Sequence, residues 1–187
     1  MKWIWIALFF ISLDVFSSEN AEVKSKSIYQ LDHKWISQND KAYTLKDLSG
    51  APAVVTMTFA SCPGACPLMV SDIKSFDKLL TKKEKKKIRY MTFSIDPTRD
   101  TPAELRKFYK KMHLDNRWML LTSNADQVRE MAAALGFSYK DLGDGDFTHS
   151  TSLFLLSADG VLLARKERSS DWKEFLEKFR SEISANR

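Results

Sequence analysis

No stretch of this 187-residue sequence stays apolar for the roughly 20 residues that cross a bilayer. The longest run, Trp3 to Leu13 broken only by Ser12, falls well short, so a permanent transmembrane helix is not expected. It follows Met1-Lys2 and gives way to Asp14 and the polar Ser17-Ser18-Glu19-Asn20. That is the pattern of an export signal, with Val15 and Ser17 suiting the small-residue rule for cleavage; a retained anchor is the alternative. The segment has no arginine and little serine, which argues against a mitochondrial transit peptide, and no cysteine stands near it to carry a lipid. The expected location is the bacterial periplasm or the periplasmic face of the inner membrane.

Internal repeats and low-complexity tracts are absent as well, and the length suits one ordinary core. Lysine and arginine exceed aspartate and glutamate, 29 against 24, with much of the excess in Lys82-Lys83-Glu84-Lys85-Lys86-Lys87. No nucleic-acid motif accompanies that run, which reads as a solvated loop or, more sharply, as a surface for an acidic partner. The acidic segment Asp141-Leu142-Gly143-Asp144-Gly145-Asp146 lacks the ligand spacing and terminal Glu of an EF-hand and reads as a solvated turn. Only two cysteines occur, so a structural disulfide between them is the plain alternative to any chemistry they carry.

What is present is an alternation of strand and helix signals. Trp35-Ile36-Ser37 and Ala42-Tyr43-Thr44-Leu45 flank a polar turn and predict an early hairpin. The run Ala53 to Ala60 is short, β-branched and almost wholly apolar, as a strand covered on both faces would be. Met69, Ile73, Phe76 and Leu80 then make one helix face. A second strand, Ile88 to Ile95, ends at Asp96-Pro97, and Thr101-Pro102-Ala103-Glu104 supplies a capping box for a helix to about His113. Trp118 to Leu121 predicts a strand; Val128, Met131, Ala132 and Leu135 predict a helix capped by Ser123 and stopped by Gly136. Thr151 to Leu156 and Val161 to Ala164 are joined by a turn containing Asp159-Gly160, and a closing helix carries Trp172, Phe175, Leu176 and Phe179. The order predicts an α/β sandwich with a mixed sheet, flanking helices and an N-terminal hairpin.

Cys62 and Cys66 lie as Cys-Pro-Gly-Ala-Cys between the apolar strand and its helix. A helix start directs backbone N–H groups at both sulfurs and favours thiolate over thiol, so exposed, reactive sulfurs are expected. Pro63 stiffens the turn, Gly64 accepts unusual backbone angles, and Pro67 falls in a first turn where proline costs no hydrogen bond. Two thiolates suit either redox work or a soft ion such as Cu(I), for which an imidazole would complete a trigonal site. Of three histidines, His113 falls at a helix C-terminus and His33 before the early hairpin. His149 follows the acidic loop, which as a mobile segment would carry it to the cysteines; an ordinary strand-start histidine is the alternative.

Three segments resemble the Sco/SenC family of copper-binding, thioredoxin-like proteins that help assemble the binuclear copper centre of cytochrome c oxidase. They are Phe59-Ala60-Ser61-Cys62-Pro63-Gly64-Ala65-Cys66-Pro67, Ser94-Ile95-Asp96-Pro97-Thr98-Arg99-Asp100-Thr101-Pro102, and Thr148-His149-Ser150 leading into Phe154 to Gly160. The resemblance divides the chain into a signal or anchor at 1–17, a linker at 18–27 and a thioredoxin-like domain at 28–187. It implies that Cys62, Cys66 and His149 bind one copper ion, Cu(I) or Cu(II), and that Asp96 stands in a second shell, where capping its own turn is the alternative. It also implies a copper acceptor as partner, the copper-bearing oxidase subunit or another protein. A thiol-disulfide partner, a monomeric state and no membrane contact beyond an uncleaved anchor complete that expectation. Family members often carry a polar residue or histidine before the first cysteine and an acidic residue within the loop; here Ser61 and Gly64-Ala65 stand instead.

A thiol-disulfide oxidoreductase would use the same Cys62 and Cys66, the first attacking and the second resolving. The Thr148-His149-Ser150 segment has no proline to lie opposite them, which favours metal binding. Phe59 and Val55 occupy the places where a thiol peroxidase of similar fold has Thr and Pro. A Cys62-Cys66 disulfide would close too short a loop to stabilise much.

Overall fold

A computed structural model of the chain describes residues 27–62, 64–168 and 170–185. The signal or anchor at 1–17, most of the linker and the Pro63 turn lie outside the described residues. In chain order the elements are β1 (Lys34–Ser37), β2 (Ala42–Thr44), β3 (Ala53–Thr58), α1 (Ala65–Lys78), α2 (Lys82–Lys85), β4 (Arg89–Ser94) and α3 (Pro102–Lys111). There follow β5 (Trp118–Thr122), α4 (Ala125–Leu135), β6 (Tyr139–Asp141), β7 (Phe147–His149), β8 (Leu153–Leu156), β9 (Leu162–Lys166) and α5 (Lys173–Ala185).

Seven strands form one mixed sheet in the order β2-β1-β5-β4-β3-β8-β9. β3, β4 and β5 run parallel, and β1 and β8 join them antiparallel on either side. All six residues of β3 and all four of β8 are buried, which is why their sequences are continuous apolar runs rather than alternating ones. β6 and β7 form a separate two-stranded ribbon. The expected early hairpin is present, turned by Asp40 at φ 59°, and joins the sheet through β1 and β5.

Sequence-local chemistry sets the helix ends. Thr101 Oγ1 accepts from the Glu104 N–H at 3.3 Å and Pro102 opens α3, but the Glu104 carboxylate turns to Lys107 at 2.6 Å, so only half of the expected capping box forms. α4 is capped by Asn124, not Ser123; the Ser123 hydroxyl donates instead to the Lys34 carbonyl of the neighbouring strand at 2.6 Å. Gly136 stops α4 at φ 65°, as expected. The lysine run is no loop: Lys82–Lys85 form the short α2, with a reciprocal capping box between Thr81 and Glu84. Phe76 of α1 meets Trp172, Phe175 and Phe179, which holds α1 against α5 and the residue before it.

Candidate metal centre

β3 delivers the chain to the cysteine loop at the C-terminal ends of the parallel strands, where α/β sheets place their ligands. The Cys62 N–H closes a turn on the Phe59 carbonyl at 3.2 Å. Gly64, the first residue of α1's cap, has no side chain to offer, and the Cys62 sulfur takes that role by accepting from the Cys66 N–H at 3.3 Å. The Phe59 N–H points at the Cys66 sulfur at 3.5 Å. Gly64 itself has φ −127° and open space where a Cβ would stand, so the loop does not require glycine there.

The burial of the sulfurs overturns the expectation that both cysteines are exposed. Both are free thiols and both are buried, Cys66 completely and Cys62 to 7 % exposure. Burial pushes the Cys66 thiol well above the ordinary range despite the Phe59 N–H, and the Cys62 sulfur and the Asp100 charge add to that rise. A helix terminus contributes roughly 0.3 to 1 kcal/mol, less than the desolvation of a sulfur anion in an apolar site. A bound cation reverses that balance, because a coordinating thiol loses its proton outright.

His149 is the last residue of β7. Its Nε2 lies 3.8 Å from the Cys66 sulfur, and its Nδ1 lies 2.8 Å from the Ser150 carbonyl oxygen. A carbonyl only accepts, so Nδ1 carries the proton and Nε2 keeps its lone pair toward the sulfurs, the tautomer a metal ligand needs. The ring stacks on Phe137 at 5.9 Å and 20° and receives Phe59 edge-on at 5.9 Å and 85°. The donor atoms of Cys62, Cys66 and His149 all lie within 4.8 Å of one another, and they are the only such group of three among the described residues. Two sulfurs and one imidazole nitrogen at this separation fit a soft, low-coordinate cation.

His149 therefore does not ride on a mobile loop as expected; the ribbon pairs Tyr139 with His149 and Asp141 with Phe147. The acidic turn is built from its own hydrogen bonds, Asp141 accepting from Gly143 at 2.8 Å and Asp144 from Asp146 at 3.0 Å. His33 is buried with Nε2 2.7 Å from the Glu130 carboxylate, and His113 follows α3 in a left-handed conformation at φ 48°. Neither joins the cluster.

Asp96 is buried, but its carboxylate is taken up by Thr98 Oγ1 at 3.0 Å, the Arg99 N–H at 3.3 Å and the Arg99 guanidinium. Turn capping, the alternative role, is the one that forms. The carboxylate that braces the cysteine loop is Asp100, which sequence reading passed over. Both its oxygens lie 3.1 Å from the Ala60 N–H, and one accepts from Ser94 Oγ at 2.6 Å. Burial pushes its pKa up to about 6 against those bonds.

A buried parallel strand running into a Cys-x-x-x-Cys helix start, with an imidazole brought in from a separate ribbon, defines a thioredoxin-like protein whose three clustered donors could hold a soft cation. Residues 21–184 match the SCO1/SenC family, and the chain belongs to it. It is 30% identical over 131 residues to the SCO1 protein homolog of Bacillus subtilis, covering 68% of this chain and 67% of that one. The structure of Bradyrhizobium japonicum ScoI with copper bound superposes with a TM-score of 0.67 and 23% identity over 80% of this chain and 96% of that one. A structure of BsSco, described by a disulfide switch and as a member of the Sco family of cytochrome c oxidase assembly proteins, gives a TM-score of 0.67 and 25% identity over 79% of this chain and 89% of that one.

Proposed function

We propose that this protein binds one copper ion through Cys62, Cys66 and His149 and delivers it during assembly of the copper centre of cytochrome c oxidase. The observation that carries this reading is the convergence of two thiols and an imidazole of the correct tautomer within 4.8 Å. Family membership and a relative whose structure holds copper support the choice of metal. The two thiols alone suit Cu(I), and the imidazole extends the donor set toward Cu(II). Residues 1–17 serve as an export signal or anchor and 18–27 as a linker in this reading, which places the site in the periplasm.

Anaerobic titration of the reduced protein with Cu(I) and Cu(II) tests it, with His149→Ala and Cys66→Ser in parallel. His149→Ala is expected to weaken Cu(II) binding and change its spectrum, and Cys66→Ser to abolish tight binding of both ions. Unchanged affinity and spectra in His149→Ala would sink the three-donor site.

A second reading, thiol-disulfide exchange with a partner, draws on the adjacency of the two free thiols and on the disulfide switch of BsSco. Cys62, the less buried sulfur, would attack and Cys66 resolve. In that case Cys66→Ser traps partner proteins as mixed disulfides on Cys62, whereas delivery of copper alone leaves none.

A further inference from the structure

Arg99 stands at a junction that the three donors do not account for. Its Nε donates to Asp96, whose side chain is 3 % exposed, and its own backbone N–H is held by the same carboxylate. The guanidinium lies 6.0 Å from the centre of the Phe59 ring and 5.9 Å from that of Phe147. Phe59 belongs to the segment entering the cysteine loop, and Phe147 sits two residues before His149 on β7. The two rings also touch each other, with centroids 5.2 Å apart. At the turn of the ribbon, Gly145 at φ 87° comes so close that a Cβ there would lie 2.7 Å from Arg99 Nη1.

We propose that Arg99 is the positioning residue for His149: its guanidinium latches the β6–β7 ribbon onto the cysteine loop and so sets whether the imidazole stands over the sulfurs. The inference rests on the three-donor reading for its consequence, though the latch itself is a property of the metal-free protein. A two-stranded ribbon of three residues per strand has little stability of its own, so contacts with the body must decide where it sits. Those contacts include the Phe137 and Phe59 rings around His149, the Phe59 ring against Phe147, and the Arg99 contact with Phe147. Among the described residues, Arg99 is the one that ties the ribbon to a buried carboxylate. A planar guanidinium lies against two rings while donating to a carboxylate; an ammonium keeps the charge and loses the stacking. Asp96 thereby acquires a part in the site through Arg99 rather than by facing the metal.

The test uses the full chain with Arg99→Lys, Phe147→Leu and His149→Ala. In the metal-free wild type, the His149 ring resonances should be displaced by the Phe137 and Phe59 rings. In Arg99→Lys and in Phe147→Leu they should move toward free-histidine positions, and amides 139–149 should exchange faster while those of β3 and β4 stay protected. Two contacts of this kind correspond to roughly tenfold weaker Cu(II) binding, with Cu(I) less affected because two thiolates suffice. Wild-type resonances and Cu(II) affinity in Arg99→Lys would overturn the latch, since charge alone would then be enough. Should Arg99→Lys lose β3 and β4 protection, Phe147→Leu decides in the same way, because it leaves the Asp96–Arg99 pair intact. Unchanged Cu(II) binding in His149→Ala removes the three-donor site and leaves the metal-free resonances to judge the latch.

Discussion

Asp100 shows how one side chain couples the site to the stability of the fold. It is 1% exposed, bonded to the Ala60 N–H and to Ser94, and its pKa is raised to about 6 by burial. The folded protein therefore holds this proton at pH values where the unfolded chain has released it, near pH 4 and above. Stability from this group is greatest below pH 4 and declines as pH rises to about 6, by an amount on the order of 2 to 3 kcal/mol. Asp77 works in the opposite sense: burial would raise it, but Arg117, Lys85 and Tyr90 hold it down to about 2, so its contribution is present above pH 4 and is lost as pH falls toward 2. Asp100→Asn is expected to remove the decline between pH 4 and 6 while leaving the acid limb due to Asp77 in place. Urea melts at half-unit pH steps would show this, and an unchanged slope between pH 4 and 6 would assign the decline to other groups.

The elements divide into those that hold the site from behind and the one that completes it from in front. α1 carries Cys66 at its start and Phe76 near its end, where Phe76 is fully buried against Trp172, Phe175 and Phe179. Phe179→Ala removes a wholly buried ring from that cluster and is expected to cost about 3 to 5 kcal/mol in chemical denaturation. Cu(I) affinity of the folded fraction should stay near wild type, because the Cys62 sulfur that caps α1 and the Phe59 N–H lie at the other end of the helix. A matching loss of metal affinity would mean that α1 shifts as a rigid rod when its C-terminal packing is weakened. The β6–β7 ribbon is different in kind, since its only sheet partner is itself. Its position depends on aromatic faces and on Arg99, and it is the element on which arrival and departure of a ligand can turn.

For the molecule as a whole, the two buried free thiols and the imidazole are drawn from separate elements, and a cation held as proposed would cross-link them. On that reading the ion would tie the loop after β3 and the start of α1 to the end of β7, some eighty residues further along the chain. Anything bound only by the folded form stabilises it, by about 2.7 kcal/mol at a free concentration one hundred times Kd. For a chain of this size that corresponds to a rise in Tm of very roughly 5 to 10 °C. Thermal melts of reduced protein with and without Cu(I) should show the rise, and a Cu(I) chelator should return Tm to the metal-free value. No rise at saturating Cu(I) would mean that the ion binds the unfolded dithiol as well as the folded one.

The apolar, β-branched run at Ala53 to Ala60, the helix face Met69-Ile73-Phe76, the Asp159-Gly160 turn and the Cys-Pro-Gly-Ala-Cys spacing determined the mixed α/β sheet and two of the three donors, because each is a local pattern. His149 was reached from sequence as one of three histidines and through the family resemblance. Its tautomer and its place over Cys66 are tertiary facts, set by Ser150, Phe137 and Phe59. The burial of the two sulfurs is a tertiary fact: only packing decides the depth of the site, and at Cys66 that depth outweighs the pull of the helix start toward thiolate. Asp100 and Arg99 were written in the same segment as Asp96, but nothing in a linear sequence says which carboxylate turns toward the cysteine loop or which rings a guanidinium will lie between. Periodicity and spacing act over a few neighbouring residues; the site is made by contacts spanning some eighty positions, and those exist only once the chain has folded.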